Sequence, residues 1–418
     1  MRRAALPALL LLAGFAAVAG LYAWGGDAYF ELRQAAGLRP FPPFLDLHGV
    51  MAAIACWHDG VDVYAANACD VLGRVHVYSP LWLRLPAGFG TPGLIGPIGI
   101  GLALAVIASL LVLPAPDGLR GLVVMVLAVV SPDTVFALER ANMDVLIFAA
   151  VVLAVPLLAG RVAARGLAYA VFLGMGLLKF YPVVLLVLVV RERPLVALGF
   201  GLAAIVMLAA GVLPFIDEYG RAIANILPTP AFTGTFGARH LALGLALLLP
   251  GSVFPAYAAG ALVAAGAVVL MVRVLRDSAV LAAMDALPRR HADLCLVSGL
   301  VMLGCFLAGE SVEYRAVFLL LAVPALLRMG ALLRMGGLFR MTAWGVVWLL
   351  WDPVMRRVVA RLAPGVGDVP GAAGLALWGV REVLWWWVAA VLAVLVVGLL
   401  RRAPGWGLIG IIVRRGIR

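Results

Sequence analysis

Apolar runs of about twenty residues, separated by short polar clusters, recur along this chain and set its organisation. A helix of that length crosses a hydrocarbon core roughly 30 Å thick. Runs of this kind cover residues 4–23, 93–113, 119–136, 144–160, 194–214, 254–272, 293–309, 316–328, 341–355 and 382–400. The stretch between Arg161 and Arg193 departs from the pattern, because Pro182 interrupts one apolar run and both of its ends are basic. Proline disfavours helix at the residue before it, so this stretch reads as a re-entrant or broken helix pair over 166–190, with Lys179, Phe180 and Tyr181 at its tip.

Lipid cannot satisfy free backbone polar groups, so helices must do the crossing; alternating polar-in strands are absent, which excludes a barrel. The expected fold is therefore all-α, a polytopic integral membrane protein of about 11–12 transmembrane helices. It forms one domain over residues 1–400, with a first outer loop at 24–92 and a basic cytoplasmic tail at 401–418. Ala17-Val18-Ala19 also suits signal peptidase, but the first run is long enough to span and is taken as an uncleaved helix. Residues 215–240 and 356–380 read as outer loops, the latter fitting the charge rule poorly because it holds Arg356, Arg357 and Arg361.

Composition sharpens this. Of 418 residues, 65% are hydrophobic and only 13% charged, against about 25% charged in soluble domains. The net charge of +11 is explained by arginines marking cytoplasmic loops, not by a nucleic-acid partner. Cys295 and Cys305 lie in an apolar run and read as core. Cys56 and Cys69 share the first outer loop, as a disulfide or as two thiols. No cysteine has metal-ligand spacing, and no metal or cofactor is expected. No Walker loop, dinucleotide fingerprint, HExxH or nucleophile elbow is present.

Against this apolar background, Asp46, His48, His58, Asp59, Asp62, Asp70 and His76 collect within one loop. Other charges fall at the outer ends of helices: Glu139, Arg140 and Asp144, with Asn142 between them; Lys179; Asp217 to Arg221; Arg239 and His240; Glu310, Glu313 and Arg315. A charge at bilayer depth costs at least about 2.5–3.5 kcal/mol unless it faces water, a partner or a ligand. Each could merely end a helix at the interface; together they point to one outward-facing site. Arg140 and Asp144 are four apart, a spacing that places them on one helical face. Lys179 at a helix break suits an anion such as phosphate, and a fixed guanidinium at Arg315 can grip phosphate with two hydrogen bonds.

Three motifs carry a resemblance. Asp62-Val63-Tyr64 and Tyr78-Ser79-Pro80-Leu81 in the first loop, Glu139-Arg140-Ala141-Asn142-Met143-Asp144, and Leu178-Lys179-Phe180-Tyr181-Pro182 occur in that order. The chain resembles glycosyltransferase family 87, of the GT-C class, over roughly residues 1–330, and is similar to its polyprenyl-phosphate-mannose-dependent mannosyltransferases. The resemblance implies a GT-C-like fold and transfer of a sugar from a polyprenyl-phosphate donor to a lipid or glycan acceptor. The transfer occurs with inversion at the outer face of the cytoplasmic membrane. It places Asp46 where the family carries its acidic residue, as general base, with Asp59 and Asp62 as fallbacks. Lys179, Arg315, Arg239 and His240 would surround the donor phosphate. Asp62, Tyr64, Tyr78, Arg140, Asn142, Asp144, Tyr181 and Glu313 would position substrate. Where members carry a His-Tyr pair, this chain has Tyr314-Arg315. The bland alternative for Asp46 is a helix N-cap; the rival function is a lipid or small-molecule transporter or flippase, less favoured because no repeated halves are evident.

Overall fold

The computed structural model describes residues 2–35, 41–226, 231–249, 253–333, 336–365 and 370–404. The chain is built from helices; the only strands among the described residues, Thr235–Phe236 and Ser311–Val312, pair antiparallel over two residues. Among the described residues, eight helices are long and apolar enough to cross a membrane. A ninth crossing is possible through the pair Glu313–Leu321 and Val323–Leu332, bent by 47°. The expected number is 11–12, and the difference has identifiable sources.

Residues 144–160 form only a short helix, Met143–Ala154, with one further turn. The 166–190 pair is broken where expected: the helix Val162–Lys179 stops, and an 11-residue 3₁₀ helix, Tyr181–Arg191, follows and packs back on it. That packing is close because Gly176 carries no side chain; a Cβ there would lie 3.0 Å from the Val183 nitrogen. Residues 341–355 do not cross and then open into a loop. One helix runs from Gly337 to Leu362 through Pro353, and the next starts at Ala372. Arg356 stays helical because it pairs with Asp352, one turn earlier, and with Glu313. Likewise the segment after Pro214 is not loop throughout, since Ile216–Ala224 is helical. Arg334 and residues 405–418 of the basic tail lie outside the described residues.

The contacts divide the chain into two compact units. One, here the Asp46 unit, comprises Pro43–Ser109, Leu138–Leu227 and Val397–Arg418. The other, the Glu313 unit, comprises Met1–Pro42, Leu110–Ala137 and Pro228–Val396. In the Asp46 unit the helix Leu45–His58 is largely buried. Its Cys56 is disulfide-bonded to Cys69, so of the two states left open by the sequence the pair is oxidised. A ring of this size stabilises by roughly 3 kcal/mol through the unfolded chain. Ala53 and Cys56 pack with Val63, Tyr64, Leu83 and Ala222 in one apolar cluster. In the Glu313 unit, Cys295 and Cys305 are buried in the helix Arg289–Ala308.

Candidate functional site

The helix Leu45–His58 starts abruptly. Phe44 occupies the N-cap position in the left-handed region, at φ 62°, and no side chain caps the helix. The amide of Phe44 donates instead to the Glu139 carbonyl at 2.7 Å. Asp46 is thus not the N-cap; it lies in the first turn, where a carboxylate suits the positive end of the helix dipole. Its side chain is buried and turned to other partners. Oδ1 accepts from Arg74 Nη1 at 3.1 Å and from Arg140 Nη2 at 2.9 Å. Oδ2 accepts from Asn142 Nδ2 at 2.8 Å.

Arg140 and Asp144 do not share a helical face. The helix Pro132–Arg140 ends at Arg140, Ala141 takes φ 44°, and Asn142 caps the next helix by accepting the Asp144 amide at 3.0 Å. The two charged residues are sent to different partners. Asp144, fully buried, accepts from Lys179 Nζ at 2.9 Å and from the Tyr181 hydroxyl at 2.7 Å. Lys179 also donates to Asn142 Oδ1 at 2.6 Å and lies 5.1 Å from the centre of the Tyr78 ring. Asn142 therefore joins the Asp46 and Lys179 halves of one network, with its amide toward the first and its carbonyl toward the second.

The turn at Lys179–Tyr181 is held from several sides. Phe180 takes φ 52° and ψ −64°. The last carbonyls of an α-helix lack partners within it, and here Leu178 accepts from the Trp82 indole at 3.1 Å and Leu177 from the Tyr219 hydroxyl at 3.2 Å. Phe44, Ala141 and Phe180 are the only non-glycine residues with positive φ among the described residues. Each sits beside a member of this network. Such conformations cost about 1–3 kcal/mol apiece and persist only where surrounding structure over-determines them.

Of the residues singled out from sequence, Asp46, Tyr78, Arg140, Asn142, Asp144, Lys179 and Tyr181 are brought together. Asp62 and Tyr64 are not in this network. Asp62 is exposed and paired with Arg221, and Tyr64 donates to Glu218 at 3.4 Å, so both fasten the loop to the helix Ile216–Ala224. Arg84 adds a further pair with Glu218. Asp59, the other fallback, is exposed. Sequence reasoning missed Arg74 and gave no role to Asp70 or His48. Asp70 is buried, grips Arg74, and receives His48 Nδ1 at 3.3 Å.

The Glu313 unit holds its own buried polar chain. Thr235 meets His240 Nε2 at 2.6 Å, and His240 Nδ1 lies 3.3 Å from Glu382. Glu382 accepts from Arg381, Arg381 reaches Asp352 at 3.4 Å, and Arg356 links Asp352 to Glu313. Arg315 donates to Ser311 at 2.9 Å, and Arg239 is exposed beside the fully buried His240. Arg381 and Glu382 were hidden by the apolar, tryptophan-rich run that follows them. Among the described residues no group of His, Cys, Asp and Glu is arranged to hold a metal ion.

Two titrating groups in the first loop set a pH limit. Burial pushes the His76 imidazole down to about 4. Burial also raises Asp70, but hydrogen bonds from the Arg74 side chain and backbone outweigh it and hold that carboxyl at about 2. Both groups bind protons more readily in the unfolded chain, so both contributions shrink as pH falls. His76's is complete above an unfolded value near 6.5 and lost toward 4; Asp70's is complete above about 3.9 and lost toward 2. Proteolytic susceptibility of the 59–79 loop should rise in those two stages, and His76→Gln should abolish the first. A parent loop equally resistant at pH 7 and pH 4 would contradict the His76 assignment.

No protein-family model, curated protein or solved structure matches the chain in comparison.

Proposed function

We propose that the protein is a membrane glycosyltransferase that moves a sugar, with mannose the first candidate, from a polyprenyl-phosphate donor to a lipid or glycan acceptor. One observation carries the reading: all three strained non-glycine residues flank one buried network that contains Asp46, Asn142 and Lys179. Backbone strain concentrated in this way is a mark of sites that must be held in position for chemistry, and a scaffold protein has no need of it.

A carboxylate offers about four lone-pair sites. Asp46 has three donors, two on Oδ1 and one on Oδ2, which leaves a position on Oδ2 for an acceptor hydroxyl. In the proposed step that hydroxyl loses its proton to Asp46 as its oxygen bonds to the anomeric carbon. The bond from that carbon to the phosphate oxygen breaks, and the phosphate departs with the electron pair. One displacement inverts the anomeric centre, and the balance needs no cofactor. Lys179 would supply positive potential to the leaving phosphate, as preorganised charge lowers such barriers. Arg239, His240 and Arg315 belong to the Glu313 unit and are left without a step.

The test is incubation of the purified full chain with radiolabelled polyprenyl-phosphate mannose and a total lipid extract. Labelled product with release of polyprenyl phosphate is expected. Movement of intact donor across vesicles without sugar transfer would replace this reading with the flippase. The proposed orientation, with the first loop facing outward and arginine-rich loops in the cytoplasm, has its own check. Val71 is 58% exposed in the first loop, so the label belongs there. Val71→Cys should react with an impermeant thiol reagent on intact spheroplasts; reaction only after lysis would reverse the orientation.

A further inference from the structure

Arg74 is held more tightly than a loop arginine ordinarily is. Its Nε and Nη2 both donate to Asp70, each at 2.9 Å, Nη2 also donates to the Leu45 carbonyl at 2.8 Å, and Nη1 donates to Asp46 at 3.1 Å. Four of the five guanidinium N–H groups are thereby committed. Asp70 in turn accepts the amides of Leu72 at 3.3 Å and Arg74 at 3.0 Å, and Asn67 donates to the Arg74 carbonyl. The Cys56–Cys69 disulfide ties this turn to the helix that carries Asp46. Gly49 lies three residues beyond Asp46, hence on the same face of that helix. A Cβ at position 49 would stand 2.7 Å from Arg74 Nη2 and 3.4 Å from Asp70 Oδ1. A substituted helix face could not accept the guanidinium where it now lies.

We propose that the Asp70–Arg74 turn, seated on Gly49, is a positioning clamp that sets the orientation of the Asp46 carboxylate. Arg74 fixes Oδ1, and with Asn142 on Oδ2 the plane of the carboxylate is determined. The inference rests on Asp46 being the proton acceptor, and Arg74 acts through Asp46, not on substrate. A glycine inside a helix is ordinarily the weaker choice, and at position 49 it provides the room the clamp requires.

Gly49→Ala separates this role from a merely structural one. Alanine favours the helix, so the variant should remain folded, while its methyl group displaces Arg74. With polyprenyl-phosphate mannose and lipid extract, kcat should fall by about 10²-fold, the usual cost of about 1 Å of misplacement, with the donor KM within about twofold. Arg74→Gln should act in the same direction, and Arg74→Lys should not restore the rate, because an ammonium cannot make the paired contacts. In an Asp46→Asn background, Gly49→Ala should change the residual rate less than about twofold, as expected of residues that work as one unit. Parent-like kcat in both Gly49→Ala and Arg74→Gln, or losses that multiply fully in the Asp46→Asn background, would overturn the clamp.

Carbodiimide labelling of Asp46 at one fixed pH, followed by peptide mass spectrometry, judges the clamp without any transfer assay. In the parent Oδ1 is covered by Arg74, so displacing the guanidinium should make labelling severalfold faster in both variants. A parent that transfers no sugar, with labelling faster in both variants, would remove the reaction and keep the clamp. Unchanged labelling in both variants removes the clamp whatever the reaction proves to be.

Discussion

Replacing Asp46 by Asn should lower turnover by about 10² to 10⁴, the range for loss of a positioned general base, and leave the protein folded. The side chain caps no helix, so the capping loss that would confuse the result does not arise. Asn retains one carbonyl oxygen for Arg140 or Arg74, and Arg74 keeps its contacts with Asp70 and the Leu45 carbonyl. Losing the charge that faces Arg74 and Arg140 also costs stability, so the rates are compared at a temperature where every variant is folded. Asp46→Glu keeps the charge but moves it by one methylene, so it should fall between parent and Asn. The comparison is read from kcat with saturating donor, alongside a thermal unfolding midpoint for each variant. A folded Asp46→Asn protein turning over near the parent rate would end the assignment of Asp46 as base.

Lys179→Met should be the most destabilising single change in the Asp46 unit, at about 3–5 kcal/mol, the cost of breaking a buried ion pair from one side. The ammonium is buried, bonds both Asp144 and Asn142, and is the charge that balances a fully buried Asp144 carboxylate. Methionine fills nearly the same volume, so packing contributes little to the loss. Replacing both partners, as Lys179→Met with Asp144→Leu, should recover most of the stability, because an apolar pair of similar size needs no desolvated charge. Transfer activity should not return in the double variant if Lys179 serves the leaving phosphate. Unfolding midpoints of the two single variants and the double variant decide the first point. A double variant no more stable than Lys179→Met would mean that the pair is not the source of the loss.

Hydrophobic periodicity was enough to read a helical membrane protein and most of its spans. It also located the break after Lys179, because Pro182 is visible in any apolar run. It failed where a helix carries charges that are satisfied at a distance. Arg356 reads as the beginning of a loop, yet its pairing with Asp352 and with Glu313 lets the helix continue. The same blindness affected the site. Asp46, Asn142 and Lys179 were legible as polar residues with no reason to be at apolar helix ends. Arg74 was not, since an arginine in a loop looks solvated until the loop is seen folded onto Gly49 and Asp70. Spacing misled at Arg140 and Asp144, because the rule of four assumes one continuous helix and Ala141 breaks it with a positive φ. No local pattern in sequence announces a left-handed alanine.

The order in which the chain visits its two units has a consequence for biosynthesis. The Glu313 unit is begun by the first residues, interrupted, resumed at Leu110–Ala137, interrupted again, and completed only by Pro228–Val396. The Asp46 unit is threaded between these visits. Neither can be made as a contiguous fragment. Within the Asp46 unit, Cys56 and Cys69 emerge from the ribosome more than a hundred residues ahead of Lys179. That ring can close, and Arg74 can reach Asp46, while Arg140, Asn142 and Lys179 are still being synthesised, so one side of the network precedes the other.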